Sequence, residues 1–273
     1  QLLWSQEWAF DSQCILWLSF FASFAVKIPM YPFHIWLPEA HVEAPTAGSV
    51  LLAGVLLKLG GYGFLRFSIP MFPEASHYFL PLIYTLSILA IIYTSLTTMR
   101  QTDIKRIIAY SSVGHMNLVV LGLFVNNFVA IEGAFFLMLS HGIVSGGLFL
   151  AIGCLYHQHK TRLLKYYGGL VQIMPIFILS LFFFSIANLS LPGTSSFVGE
   201  FMILLGAFQQ NIWMSILAGS TILLGACYTL WFFNRIAFGN LQLHAMTLFS
   251  DLNKKDTNVM IPLIYFILIA GIF

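Results

Sequence analysis

The sequence contains successive apolar runs that are each long enough to cross a lipid bilayer as a helix. A spanning helix needs about 20 apolar residues, and we count eight such runs. Because only 8% of the residues are charged, far fewer than in soluble domains, the chain is not a soluble globular protein. The sequence therefore predicts an all-α polytopic membrane protein with about eight transmembrane segments. They cover residues 14–37, 47–67, 79–98, 104–125, 128–156, 174–208, 212–235 and 259–273.

Two of the runs are interrupted by proline. The first contains Pro29 and Pro32 directly after Lys27, and the sixth, which is too long for one straight pass, contains 191–194 (LPGT). Proline removes a backbone donor and breaks or kinks a helix, and irregular backbone at membrane depth survives only where protein or water covers it. The pattern predicts two broken helices around a polar interior. It is also compatible with an antiporter-like bundle of inverted repeats.

The lysines and arginines are distributed unequally between the two sides of the predicted bundle. If the segments alternate, nine of the 12 lie in loops on one side, here called the basic side, and Arg66 alone lies opposite. Loops on the cytoplasmic or matrix side are enriched in these residues, so we place the basic side there. The segment with Glu39, His41 and Glu43 falls on the same side but contains neither lysine nor arginine.

Five titratable side chains lie near the middle of the membrane runs or directly beside a break. A charge at the bilayer centre costs about 2.5–3.5 kcal/mol even on the lenient insertion scale, and histidine exchanges protons near neutral pH. Such groups on successive helices are candidate members of a proton relay. A structural role stays open for each, since a lysine can reach the headgroups, a histidine can be a hydrogen-bonded core residue and a glutamate can cap a half-helix. The five are Lys27, Lys58, His115, His141 and Glu200.

Other chemistries find little support in the sequence. A cluster of histidines and glutamates near the end of the first run lacks HExxH spacing, so a metal site is not expected there. The three cysteines lie in apolar runs, and no iron–sulfur or Gly-rich phosphate motif is present. His157 and His159, in a basic loop, are expected to be solvated. A net charge of +2 does not indicate a nucleic-acid surface. The cluster consists of His34, Glu39, His41 and Glu43.

Several motifs around these residues together resemble a known family. The motifs are AVKIPM (25–30), WLPEAH (36–41), APTAGSV (44–50), LLK (56–58), QTDIKRIIAYSSVGHM (101–116), SHG (140–142) and LPGTSSFVGEF (191–201). They resemble the C-terminal part of the subunit 4 family of respiratory complex I (NADH:ubiquinone oxidoreductase), an antiporter-like family of proton-translocating membrane-arm subunits.

The resemblance implies a role for each titratable residue. Lys27 matches the lysine of the first broken helix, and Lys58 the lysine of the helix that links the two half-channels. His115 and His141 match the histidines of a central polar axis, and Glu200 the acidic residue of the second broken helix near the exit. Protons are then taken up, passed along this series and released toward the intermembrane space.

The resemblance also implies that the chain corresponds to about half of a larger bundle. Residues 1–273 form one transmembrane domain, with 14–67 as the end of a first repeat, 79–235 as a second repeat and 259–273 as the start of the last helix. The glutamate that pairs with the lysine matching Lys27 belongs to an earlier helix of the family. We therefore expect either a separate chain that carries the N-terminal helices or a truncated chain, and favour the former.

The family further implies partners, cofactors and location. We expect other membrane-arm subunits and lipids as partners, no nucleic acid, and a multi-pass protein of the mitochondrial inner membrane. NADH, FMN, iron–sulfur clusters and ubiquinone belong to other subunits, and this chain is expected to bind no cofactor or metal. Two alternatives stay open, namely a subunit of a multisubunit cation/proton antiporter and a structural remnant that braces its neighbours without pumping.

Overall fold

The computed structural model describes residues 8–241 and 250–272, in which the regular elements are helical. Six of these helices, α3, α5, α6, α7, α10 and α11, are long and apolar enough to cross a membrane, which confirms the predicted class. The helices are α1 Phe10–Lys27, α2 Trp36–Glu43, α3 Thr46–Met71, α4 Pro73–Tyr78, α5 Leu80–Met99, α6 Ile104–Phe124, α7 Phe128–His159, α8 Pro175–Asn188, α9 Ser195–Gln210, α10 Ile212–Ala237 and α11 Lys254–Ile272.

Both predicted breaks are present. The first apolar run divides into α1 and α2, and the sixth into α8 and α9, with Gly193 in the second break at a φ of 92° that favours glycine. Lys27 is thus the last residue of α1 rather than a mid-helix residue, because the helix ends where the prolines begin. The last segment starts at Lys254 rather than at 259, since its charged first turn is helical although it is not apolar.

Helix α6 is the central element of the bundle. Nearly all of its residues are buried, and it packs against α5, α7 and α9 as well as against α2. Its sequence is apolar on most faces, as expected for a helix surrounded by protein, and its small polar residues place hydroxyl and amide groups in the interior. Residues on α6 can therefore contact both broken helices.

The basic side forms one end of the bundle, as the charge pattern predicts. The loops 100–103 and 160–174 are joined by the amide of Ile104, which donates to the carbonyl of Arg162, and by that of Leu164, which donates to Thr102. The α2 segment lies at the same end because it accepts hydrogen bonds from three cations there. Lys105 donates to the carbonyl of Ala44 (2.9 Å), Arg162 donates to that of Val42, and Arg106 donates to the carboxylate of Glu39 (3.0 Å).

The α2 segment has no lysine or arginine of its own, and these contacts bring positive charge to it from other parts of the chain. The carbonyls at the C-terminal end of a helix carry partial negative charge and favour nearby cations, and here other helices supply them. Lys105 is only 4% exposed, so its ammonium is a buried partner of the α2 carbonyls.

The two histidines of the basic loop have different environments. His157 is exposed, as predicted, whereas the prediction for His159 is wrong because its side chain is only 5% exposed. Helix α7 continues to His159, and the following segment folds back so that the ring of Tyr167 lies 5.8 Å from the imidazole ring. Burial raises the pKa of the Tyr167 hydroxyl, which donates to the carbonyl of Thr161.

Helices α7 and α9 pack backbone to backbone through glycines. A Cβ added at Gly199 would lie 2.8 Å from the Cβ of Leu137, and one at Gly133 would lie 2.6 Å from the Cβ of Met202. Real Cβ atoms essentially never approach below 3.0 Å, so these positions require glycine. Small residues allow such close approach in membrane helices, and Gly199 directly precedes Glu200.

We predict that Gly199→Val separates α7 from α9 and destabilises the protein by about 1–3 kcal/mol, the usual cost of overpacking. The matched control is Gly219→Val, because a Cβ at Gly219 meets nothing within 4 Å. Thermal denaturation of the purified assembly should show a lower midpoint for the first variant and an unchanged midpoint for the second. Equal midpoints for both would contradict the packing role of Gly199.

Candidate proton-transfer site

Lys58 of α3 contacts His141 of α7 in the middle of the bundle. Its ammonium nitrogen Nζ lies 2.9 Å from His141 Nδ1 and also donates to the carbonyl of Ala53. Helix α3 is π-helical on both sides of Lys58, at Leu52–Leu56 and Phe64–Ser68. Such wide turns are frequent at functional sites, and here one of them provides the carbonyl that holds the lysine.

Glycine allows α3 and α7 to come this close. A Cβ at Gly142 would lie 3.1 Å from the carbonyl oxygen of Gly54 and 3.6 Å from Lys58 Cε. Because His141 precedes Gly142, the absence of a side chain at Gly142 brings the imidazole within hydrogen-bonding distance of the lysine.

The Lys58–His141 contact can exist with the proton on either partner. An ammonium group donates only, so a charged Lys58 requires Nδ1 of His141 to accept and Nε2 to carry the imidazole hydrogen. A neutral Lys58 amine can instead accept a hydrogen bond from a protonated Nδ1. The two arrangements share one geometry and differ by the transfer of one proton, as a relay requires.

His115 of α6 contacts Glu200 of α9 in a second pair. Nδ1 of His115 lies 2.8 Å from Oε1 of Glu200, and both side chains are less than a tenth exposed. Glu200 lies in the second turn of α9, whose first turn has no acidic residue. The alternative that Glu200 caps the half-helix therefore does not describe its position.

The two pairs lie next to each other. The rings of His115 and His141 are 5.6 Å apart between centroids and inclined by 46°. Each ring uses Nδ1 for its partner, and each Nε2 is buried without a hydrogen bond in the described part of the chain. Four of the five predicted residues thus form one line, in the order Lys58, His141, His115 and Glu200.

Lys27 is not part of this line. Its side chain is exposed at the end of α1, and none of the ion pairs among residues 8–241 and 250–272 includes it. Its backbone nevertheless lies against α3, since a Cβ at Gly60 would be 3.1 Å from Lys27 Cβ. The lysine is close to the helix that carries Lys58, but its ammonium group faces away from the described interior.

A polar side chain of α6 binds the first helix break. Asn117 is fully buried and donates from Nδ2 to the carbonyl of Pro29 at 3.1 Å and to that of Val113 at 2.8 Å. The break exposes a carbonyl that the helix no longer pairs, and an unpaired buried carbonyl is costly. Asn117 satisfies it and ties the broken helix to the helix that carries His115.

His41 is an interior residue that the sequence did not identify. Its side chain is fully buried, stacks on Phe149 with 4.4 Å between ring centroids, and has neither nitrogen paired among the described residues. It interacts electrostatically with Lys105 toward the basic side and with His141 toward the interior. In the sequence, His41 lies near Glu39 and two prolines, and this pattern indicated only the end of a helix.

The structure does not bring the four residues His34, Glu39, His41 and Glu43 together as a metal site. Within the described ranges, no group of three or more His, Cys, Asp or Glu side chains is placed to hold a metal ion. Glu39 instead pairs with Arg106, and His34 lies among the aromatic rings of Tyr31, Tyr93 and Tyr110.

Comparison with known proteins identifies the family. Residues 3–225 match the family described as NADH:quinone oxidoreductase/Mrp antiporter, transmembrane. The chain is 60% identical over 273 residues to NADH-ubiquinone oxidoreductase chain 4 of Marchantia polymorpha and covers 55% of that relative. It is 51% identical over 261 residues to NADH-quinone oxidoreductase subunit M of Rhodobacter capsulatus, covering 96% of this chain and 51% of the relative. The chain thus spans about half the length of the curated relatives it matches.

Solved structures show the same fold. A chain of respiratory complex I from Thermus thermophilus with bound NADH superposes with a TM-score of 0.92 at 30% identity, over 99% of this chain and 57% of that chain. A chain of the Mrp complex from Dietzia sp. DQ12-45-1b superposes with a TM-score of 0.77 at 24% identity, over 82% of this chain and 42% of that chain. With most of its length matched by the family, the chain belongs to the NADH:quinone oxidoreductase/Mrp antiporter transmembrane family.

Proposed function

We propose that this chain is part of a proton-translocating membrane-arm subunit of NADH:ubiquinone oxidoreductase. The observation that carries the proposal is the line of Lys58, His141, His115 and Glu200, with contacts of 2.9 and 2.8 Å at its two ends. The relatives named as chains of this oxidoreductase support the assignment. Electron transfer, with NADH, FMN, iron–sulfur clusters and ubiquinone, is then the task of other subunits.

Each transfer along the line breaks one bond to hydrogen and forms another. Lys58 gives a proton to Nδ1 of His141, which releases its Nε2 hydrogen toward His115. His115 accepts at Nε2 and gives its Nδ1 hydrogen to Oε1 of Glu200. Because the two rings lie 5.6 Å apart, the middle step needs a bridging water or a rotation of a ring.

The basic side is the proposed side of uptake. A cavity of about 460 Å³ opens there between α2 and α7, and its lining includes Glu43, Lys105 and Tyr156. His41 interacts electrostatically with both Lys105 and His141, and neither of its nitrogens has a partner among the described residues. We propose that protons reach the Lys58–His141 pair through His41, from the matrix side of the mitochondrial inner membrane.

Lys27 provides the contact with the rest of the subunit in this proposal. An ammonium group at membrane depth requires a partner, and its exposed position leaves room for a carboxylate from outside the described residues. We propose that this carboxylate belongs to the N-terminal helices of the same subunit. Movement of that carboxylate toward or away from Lys27 would change the electrostatic field at Lys58.

A cation/proton antiporter subunit is the second candidate function. The family description includes Mrp antiporters, and the Mrp complex shares the fold. Lys58 and Glu200 fit either function, because a transported cation can also change the electrostatic field at these residues. The two candidates differ in whether sodium is required, so proton transport in sodium-free medium distinguishes them.

We predict that Lys58→Ala and Glu200→Ala each lower proton pumping and coupled quinone reduction at least about tenfold. The reason is that a positioned proton-transfer group typically contributes roughly a hundredfold or more to a rate. Pumping is measured by the quench of a pH-sensitive dye in vesicles that contain the intact assembly, with subunit content measured by mass spectrometry.

His77→Ala is the matched control, because His77 is exposed on α4, outside the line and outside the lining of the uptake cavity. It should leave turnover and pumping unchanged. A normal ratio of protons to electrons at normal turnover in either relay variant would contradict the proposed relay, and an equal loss in the control would show that the losses in the relay variants are not specific to the line.

We also predict that a carbodiimide will couple the amine of Lys27 to a carboxylate from outside residues 8–241 and 250–272 in the intact assembly. The reagent joins an amine and a carboxylate only when they touch, and mass spectrometry identifies the linked peptide. Lys27→Arg, which keeps the charge but removes the primary amine, should abolish the link. Failure to form any Lys27 link in the active assembly would contradict the proposed pair.

A further inference from the structure

Helix α11 lies alongside the first half of the second broken helix. At about 1.5 Å per residue, α8 is about 21 Å long, and α11 is about 27 Å long from Lys254 to Gly271. Because both helices begin on the basic side, α11 is long enough to reach from the start of α8 to the break. It packs against α7, α8 and α9 through one strip of apolar side chains at helical spacing, whereas most of its remaining surface is exposed. The strip consists of Met260, Leu263, Ile264 and Ile267.

The start of α8 is held by a carboxylate from the segment that leads into α11. The first residue of α8, Pro175, has no N–H to donate, and the side chain of Met174 before it does not cap the helix. The next two amides, those of Ile176 and Phe177, donate to Oδ2 and Oδ1 of Asp251 at 2.9 and 3.1 Å. A carboxylate is also favoured by the positive end of the helix dipole. Asp251 therefore joins α8 to the segment before α11 on the basic side.

The other end of α11 lies on the backbone of the break. A Cβ added at Gly271 would lie 2.5 Å from the carbonyl oxygen of Gly193 and 2.5 Å from the carbonyl carbon of Thr194. Both are backbone atoms, which cannot rotate aside as the end of a flexible side chain can. Gly271 is therefore packed directly on the peptide group that joins Gly193 to Thr194.

This peptide group determines where α9 begins. Thr194 is the residue before α9, and Glu200 lies in the second turn of that helix. The contact of 2.8 Å between His115 Nδ1 and Glu200 Oε1 allows little displacement, because beyond about 3.5 Å the two atoms no longer form a hydrogen bond. A shift of the backbone at Gly193 and Thr194 would therefore reach the His115–Glu200 pair through α9.

We propose that α11 fixes the second break in place, and that Asp251 and Gly271 are positioning residues for proton transfer between His115 and Glu200. Asp251 holds the start of α8, and Gly271 holds the peptide group from which α9 starts. Neither residue is a member of the relay line, so both act through the place of Glu200. The role in pumping rests on the proposed function, whereas the effect on the place of Glu200 does not.

The test compares Gly271→Ala with Gly219→Ala in the intact assembly. Both add one methyl group to a helical glycine, but a Cβ at Gly219 meets nothing within 4 Å. The spectroscopic readout is the infrared band of the Glu200 side chain, as carboxyl or as carboxylate, which Glu200→Gln identifies by its loss. Proton pumping is measured on the same preparations.

Gly271→Ala should shift the Glu200 band and lower pumping at least about fivefold, because misplacing a reacting group by about 1 Å can cost roughly a hundredfold in rate. Gly219→Ala should change neither the band nor pumping. A native Glu200 band in Gly271→Ala would contradict the positioning role even if the thermal stability of that variant were lower, since lower stability alone requires only a structural role.

Asp251→Ala provides a second variant if Gly271→Ala fails to assemble. It removes both hydrogen bonds at the start of α8 and should also shift the Glu200 band. Asp251→Asn keeps one acceptor oxygen and should restore most of the native band and of pumping. A native Glu200 band in Asp251→Ala would show that α11 does not fix the break.

Failure of this inference is distinguishable from failure of the proposed function. Normal pumping in Glu200→Ala would overturn the relay, while a shifted Glu200 band in Gly271→Ala would still report the place of Glu200. Conversely, a native band in Gly271→Ala would overturn the role of α11 and leave the effect of Glu200→Ala on pumping intact.

Discussion

A charged side chain inside a lipid bilayer must find its partner within the protein, and this constraint governs the interior of the bundle. Lys58 meets His141, and His115 meets Glu200. Neither pair is formed within one helix, so each requires two helices at a fixed rotation and distance. The glycines on α7 and α9 supply that distance, since Gly142 admits α3 and Gly199 admits α7. The close packing of one helix backbone on another is thus a condition for both pairs.

The helix breaks depend on the same constraint. A break leaves backbone groups without helical partners, and lipid offers none. Asn117 of α6 donates to a carbonyl at the first break, and Thr194, inside the second break, donates to the carbonyl of Leu191. Each break therefore has a carbonyl that a polar side chain binds. At the first break that side chain belongs to α6, so the break is tied to the helix that carries His115.

Sequence alone predicted the helices, both breaks and the basic side, because hydropathy, proline and charge act locally along the chain. It named four residues that meet, but it could not show which pairs they form, since pairing depends on helix rotation and on close approach at glycines. It misjudged His159, because nothing local shows that the loop folds back over it. It could not identify His41 as an interior residue for the same reason, because His41 stacks on Phe149 of another helix.

The two nitrogens of each central imidazole ring have different environments. His141 and His115 both bind their partners through Nδ1, and each Nε2 is buried without a hydrogen bond to any described residue. His41 and His159 also have buried nitrogens without a partner among the described residues, so an unpaired nitrogen alone does not mark a proton path. In His141 and His115 the unpaired nitrogens belong to the two rings that lie side by side at mid-line. This is the point at which the proposed relay passes a proton from the Lys58–His141 pair to the His115–Glu200 pair, so the distance between the rings also fixes where a bridging water or a ring rotation is needed.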